Sequence, residues 1–178
     1  MATGKDEWMN TKLLGAILII AACGGFGFKL VANYKYEERT LGQLTAALDF
    51  MSCELQYRLT PLPMLCRQTA AECKGILADI FLSFAIELED QISPDANCCM
   101  LSVLAKFKKL PQRTIDNLEL LGNSLGRFDL EGQLKGLESV RQSCRVSIDN
   151  MNCNKDIRLR GYQTLALCAG AALVILFI

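Results

Sequence analysis

The stretch Leu121-Gly-Asn-Ser-Leu-Gly-Arg-Phe-Asp-Leu-Glu-Gly-Gln-Leu134, with the run to Ile178 that follows it, decides how this chain is read. A glycine-punctuated turn opens it, and the remainder reads as one helix. Apolar residues at Leu130, Leu134, Leu137, Val140, Cys144, Ile148 and Met151 recur every three or four positions, the spacing of a helix that buries one stripe. Past Arg160, charge disappears from every face through Ile178, a pattern that lipid selects and a protein core does not. The expectation is a helix that packs on a bundle and then enters a membrane.

The opposite end of the chain mirrors this. A polar leader, 1–12, precedes a run from Leu13 to Phe28 without a charge, roughly 24 Å of helix at 1.5 Å per residue. Residues through 33 extend it, with Lys29 able to reach toward headgroups. Met9 stands just before this run as a second candidate start. Gly24, Gly25 and Gly27 leave one face bare, either for close approach of another membrane helix or as small residues facing lipid. An alternative reading comes from Ile20-Ala-Ala-Cys23, which looks like a lipoprotein cleavage site and would make the chain an exported interaction module anchored at Cys23. The flanking charges oppose it. Lys29, Lys35 and Arg39 follow the first run, and Arg141, Arg145, Lys155, Arg158 and Arg160 precede the last, with no basic residue after it. Cationic residues stay on the cytoplasmic side. The expected organisation is therefore a membrane helix at 13–33, a cytoplasmic domain at 34–160, and a second membrane helix at 161–178, with both termini across the membrane.

The middle has an ordinary globular make-up. Its 16 basic and 17 acidic residues leave no net field to attract nucleic acid. Tyr34–Leu59 reads as an amphipathic helix, stepping Glu37, Leu41, Leu44, Leu48, Met51, Leu55. Thr60-Pro-Leu-Pro63 breaks the chain and restarts it, with Thr60 as the expected cap of a helix that runs to about Cys73 and turns Leu62, Leu65, Cys66, Thr69 and Cys73 inward. Ile76–Ile92 follows with Ile76, Ile80, Phe81, Phe84 and Leu88 on one face. Pro94–Lys109 is expected to bury Cys98, Leu101, Leu104 and Ala105; Gln112–Leu125 buries Ile115, Leu118 and Leu121. No segment alternates like a strand. The fold class is all-α: a cytoplasmic six-helix bundle flanked by an N-terminal and a C-terminal transmembrane helix.

Chemistry is sparse. The chain has nine cysteines and no histidine, and no Cys-x-x-Cys pair, which removes the usual zinc patterns and the histidine base of most nucleophilic sites. The cysteines read as small buried apolar side chains in a reducing compartment. Gly122-Asn-Ser-Leu-Gly-Arg lacks the lysine and the preceding strand of a phosphate loop. Glu87, Glu89 and Asp90 read as a solvated face, and Lys106-Phe-Lys-Lys109 as a solvated helix end. Charge is nevertheless segregated: Glu72–Asp95 holds six acids and one lysine, whereas Ala96–Arg113 holds four bases and no acid. Such patches either dock a partner or complement each other internally. No enzyme activity, cofactor or metal is expected.

Lys12-Leu-Leu-Gly-Ala-Ile-Leu-Ile, Glu54 on its amphipathic helix, Thr60-Pro-Leu62, and Leu121-Gly-Asn-Ser-Leu-Gly-Arg-Phe-Asp129 with Gly132-Gln-Leu134 together resemble the stage III sporulation protein AB family of endospore-forming bacteria. The resemblance covers nearly the whole chain from Lys12, departing from the family in its leader and its cysteine content. That family's domain is similar to the first cytoplasmic domain of the platform proteins of type II secretion systems and type IV pili (GspF- and PilC-like). The resemblance implies a mother-cell membrane protein of the sporulation channel between mother cell and forespore. It implies two kinds of partner: a cytoplasmic secretion-type ATPase, and other membrane components of the channel. Glu54, Gly122, Gly126 and Asp129 match recurrent positions of the family, and are expected to serve packing and capping before partner contact.

Overall fold

In the computed structural model the backbone is described for residues 3–90, 95–107, 109–126 and 129–177, and side chains for 29, 31–90, 95–107, 109–126 and 129–153. Among the described residues all regular structure is helical: α1 (Thr3–Arg58), α2 (Leu62–Glu72), α3 (Ile76–Glu89), α4 (Ala96–Lys106), α5 (Gln112–Ser124) and α6 (Leu130–Phe177). No helix among those residues is long and apolar enough to cross a membrane. The stretches read as membrane helices, 13–33 and 161–178, and the anchor candidate Cys23 lie outside the residues whose side chains are described, 29 and 31–33 excepted.

The chain divides into two compact units. One comprises residues 1–36 and 151–178, where the Tyr34 hydroxyl donates to the Met151 carbonyl. The other, 37–150, is the helical bundle. Its core takes Leu41, Leu44, Leu48, Met51 and Leu55 from α1, the stripe that the sequence spacing predicts. Opposite them α6 buries Leu137, Val140 and Cys144. Arg141 of α6 bridges Asp49 of α1 at 3.1 Å, and Arg113 of α5 bridges Glu37 at 3.3 Å. Between these long helices α2, α3, α4 and α5 follow in sequence, each packed on the next or the last. Burial of such side chains, each contributing about 1.5–3 kcal/mol, is what holds the bundle.

Prolines set two of the helix starts. Pro61 and Pro111 stand in extended backbone before α2 and α5, and their carbonyls accept from Leu65 and Ile115 at 2.9 and 3.1 Å. Thr60 is not the cap of α2. The helix begins at Leu62 with Pro61 in the cap position, one residue later than expected, and the Thr60 hydroxyl donates to Glu54 Oε2 at 3.3 Å. The sequence repeats the cap-plus-proline start at Ser93-Pro94, which lies outside the described residues.

Three sequence expectations are corrected by the packing. On α4 the buried side is Ala96, Cys99, Met100, Val103 and Leu104, so Cys98, Leu101 and Ala105 face out. Glu87 is not on a solvated face: it is 8% exposed, with Lys106 Nζ at 2.6 Å and Ser102 Oγ at 3.3 Å. Lys106 is thereby tied to α3. The hydrogen bond from Lys106 holds the Glu87 carboxyl below the usual range, against the pull of burial. Among the described residues the cysteines, finally, differ in burial, with Cys73 between the extremes. Cys66, Cys99 and Cys144 are buried, and burial pushes the Cys66 thiol up to about 12 and that of Cys144 to about 11. Cys53, Cys98 and Cys153 are exposed.

Candidate functional site

Three of the four singled-out residues stand at two joints of the bundle, and Gly122 lies within α5. Glu54 sits one turn before the end of α1, its carboxylate 12% exposed, between Thr60 Oγ1 and Arg58 Nη1 at 3.4 Å. It thus ties the last turn of α1 to the loop that starts α2. Gly126 lies in the turn between α5 and α6 with φ +78, and a side chain there would point at Ala96 and at Leu62, the first residue of α2. The α1–α2 turn, the start of α4 and the α5–α6 turn therefore meet at one end of the bundle.

Asp129 closes that end. Its Oδ1 accepts from the Gly132 N–H at 3.1 Å, and its carbonyl accepts from Gln133 N at 2.9 Å, the pattern of a helix N-cap. Gly122 belongs to the packing of α5 on α4: a Cβ there would stand 2.8 Å from Met100 Cβ. Gly136 does the same for α6 on α5, where a Cβ would stand 2.6 Å from Ser124 Cβ. Gly122 thus stands at a close helix contact, Gly126 in left-handed backbone and Asp129 at a helix cap.

What sequence reasoning did not single out is the outer rim of this end. Tyr57 is 78% exposed and Leu59 66%, and Met64 is exposed as well. Leu130, expected to open the buried stripe of α6, is also exposed, because it stands at the first position of the helix beside the turn. Leu59 carries φ 50, the left-handed region that a leucine seldom adopts. The available signal was that Tyr57 falls off the Leu41–Leu55 stripe; Leu59, four residues after Leu55, would continue the stripe but lies past the end of α1. No group of histidine, cysteine, aspartate and glutamate among the described residues is arranged to hold a metal. This end of the bundle thus combines an apolar rim, a strained turn and a carboxylate bracing it from below.

Comparison with known proteins agrees with the architecture. The model of the stage III sporulation protein AB family matches residues 12–178. Stage III sporulation protein AB of Bacillus subtilis (strain 168) is 27% identical over 168 residues, covering 93% of this chain and 98% of the relative. A solved structure of a stage III sporulation protein AB superposes with a TM-score of 0.60 at 22% identity, over 68% of this chain and 98% of that one, a likeness of fold. With the family match running across nearly its whole length, the chain belongs to the stage III sporulation protein AB family.

Proposed function

We propose that this chain is a non-enzymatic platform component of the sporulation channel between mother cell and forespore. Membrane helices at 13–33 and 161–178 hold it in the mother-cell membrane, and the bundle on the cytoplasmic side couples a secretion-type ATPase to the other membrane components of the channel. Family membership supports the sporulation context. The charge bias around the two apolar runs supports the topology.

One observation carries the choice of docking end. Leu59 combines two-thirds exposure with a positive φ, so neither burial nor backbone preference explains a leucine there. Glycine at the same position would relieve the strain. A side chain retained against local stability, at a joint where three connections meet, fits a contact with a partner.

Capture of the ATPase of the same sporulation system by the full-length chain in membranes tests this. Leu59→Gly and Tyr57→Ala are expected to weaken capture at least about tenfold, the loss typical of truncating an aromatic or apolar anchor. Undiminished capture by both variants would move the docking end elsewhere, and no capture by the unaltered chain would overturn the coupling role.

A further inference from the structure

α4 has the sequence Ala-Asn-Cys-Cys-Met-Leu-Ser-Val-Leu-Ala-Lys, apolar around nearly its whole circumference. A helix of that kind is normally buried on all sides. Here one side is not: Cys98, Leu101 and Ala105 form an exposed stripe, with Leu101 43% exposed. Basic residues finish this side of the molecule. Lys106 follows within the helix, and Lys109 beyond it is exposed without an ion pair among the described residues.

Its neighbour α3 presents the complement. Asp79, Leu82, Ile86 and Asp90 recur at three- and four-residue steps along its outer side, with Leu82 and Ile86 each 43% exposed. Both aspartates are exposed, and no ion pair engages them among the described residues. The two helices lie side by side, clamped by Lys106 and Ser102 on Glu87 and by the Cys99 thiol on the Glu87 carbonyl at 3.8 Å. Two adjacent outer faces thus carry apolar centres of similar length, one with acidic ends and the other with a basic end.

We infer that this α3–α4 face is an interface between two copies of the chain. A surface with an acid-edged apolar stripe beside a base-edged one is self-complementary under a two-fold axis. α3 of each copy then lies on α4 of the other, and every contact is made twice. Leu82 and Ile86 cover Leu101 and Ala105 of the second copy, while one aspartate end of α3, Asp79 or Asp90, meets its Lys109, and Lys106 stays on Glu87 of its own copy. The pairing removes the exposed apolar side of α4, which nothing in one copy covers, and gives the segregation of charge between 72–95 and 96–113 a use beyond the internal Glu87–Lys106 pair. The interface stands independently of which partner occupies the α1–α2 turn.

The test uses the full-length chain in membranes, with the photo-crosslinker p-benzoylphenylalanine in place of Leu101. Irradiation is expected to give a product of twice the chain mass, its cross-link mapping to residues 79–90 of the second copy. Asp79→Lys with Asp90→Lys is expected to lower the yield about tenfold, and Lys109→Glu to lower it in the same direction. Co-expressing the two differently tagged variants restores a mixed product, because each supplies the charges that the other lacks. All three positions are exposed, and circular dichroism checks that helix content is kept. Absence of the double-mass product from the Leu101 position overturns the inference whatever the charge variants do. So does a product of another mass, or a cross-link mapping away from α3.

Discussion

At Leu59 the backbone and the side chain want different things. The position closes α1 and needs the left-handed turn that glycine adopts freely, yet it carries a branched apolar residue turned to solvent. Leu59→Gly is therefore expected to raise the stability of the bundle by about 1 kcal/mol while weakening partner capture. Equilibrium urea unfolding of residues 34–160 measures the first effect. Gly126 is the reverse case, with φ +78 and the residue that suits it. A Cβ there meets only ordinary contacts, 3.5 Å to Ala96 and 3.7 Å to Leu62, so the backbone conformation sets the cost. Gly126→Val is expected to lose about 1–3 kcal/mol, read as a lower melting temperature of the same fragment. An unchanged melting temperature would show that the turn relaxes. The two substitutions have opposite signs at one end of the bundle, a contrast that general fragility of that end does not produce.

At the scale of helices, legibility depended on how many faces are apolar. The Leu41–Leu55 stripe of α1 and the Leu137–Cys144 stripe of α6 stand against polar neighbours, so a period of 3–4 points to one side only. α4 offers apolar residues on both sides, and periodicity cannot choose between Cys98, Leu101, Ala105 and Cys99, Met100, Val103. The choice is made by α3 and α5: Glu87 draws Ser102 and Lys106, while Gly122 admits Met100. Contacts between residues 15 to 22 positions apart are invisible to local spacing. Gly122→Ala is expected to destabilise the bundle by about 1–3 kcal/mol, since the atom it would strike is the Cβ of Met100 and not a mobile side-chain end. The Glu87–Lys106 pair predicts an acid response with a definite sign. The folded pKa of Glu87 lies below the unfolded value of about 4.3. Its stabilisation is therefore complete above that value and is lost as pH falls through the depressed folded pKa. Glu87→Gln should be less stable than the unaltered chain near pH 7, and the gap should close on acidification. A gap independent of pH would mean that the pair contributes through packing alone.

For the whole molecule, the motif residues were legible as positions but not as a place. Glu54, Gly126 and Asp129 are separated by up to 75 residues, and only the folded chain shows that the first two joints converge beside an exposed Tyr57 and Leu59. The native thiols then report on topology and assembly together. Cys53 and Cys98 are exposed on the bundle, whereas Cys66 and Cys144 are buried with their pKa values raised to about 12 and about 11, so they hold almost no thiolate near pH 8. With the bundle cytoplasmic, a membrane-impermeant maleimide leaves Cys53 and Cys98 untouched in intact cells and modifies both after permeabilisation, as peptide mass mapping resolves. Modification of Cys53 in intact cells would place the bundle across the membrane and favour export with an anchor at Cys23. The rates carry the second reading. Cys98 lies on the α4 stripe that the second copy covers, and Cys53 lies on α1, outside the α3–α4 face. In permeabilised cells Cys98 is expected to label more slowly than Cys53, and Leu82→Asp, which places an acid in the apolar centre of the interface, should restore its rate. If Leu82→Asp leaves a slow Cys98 unchanged, its protection comes from its own copy and not from a second.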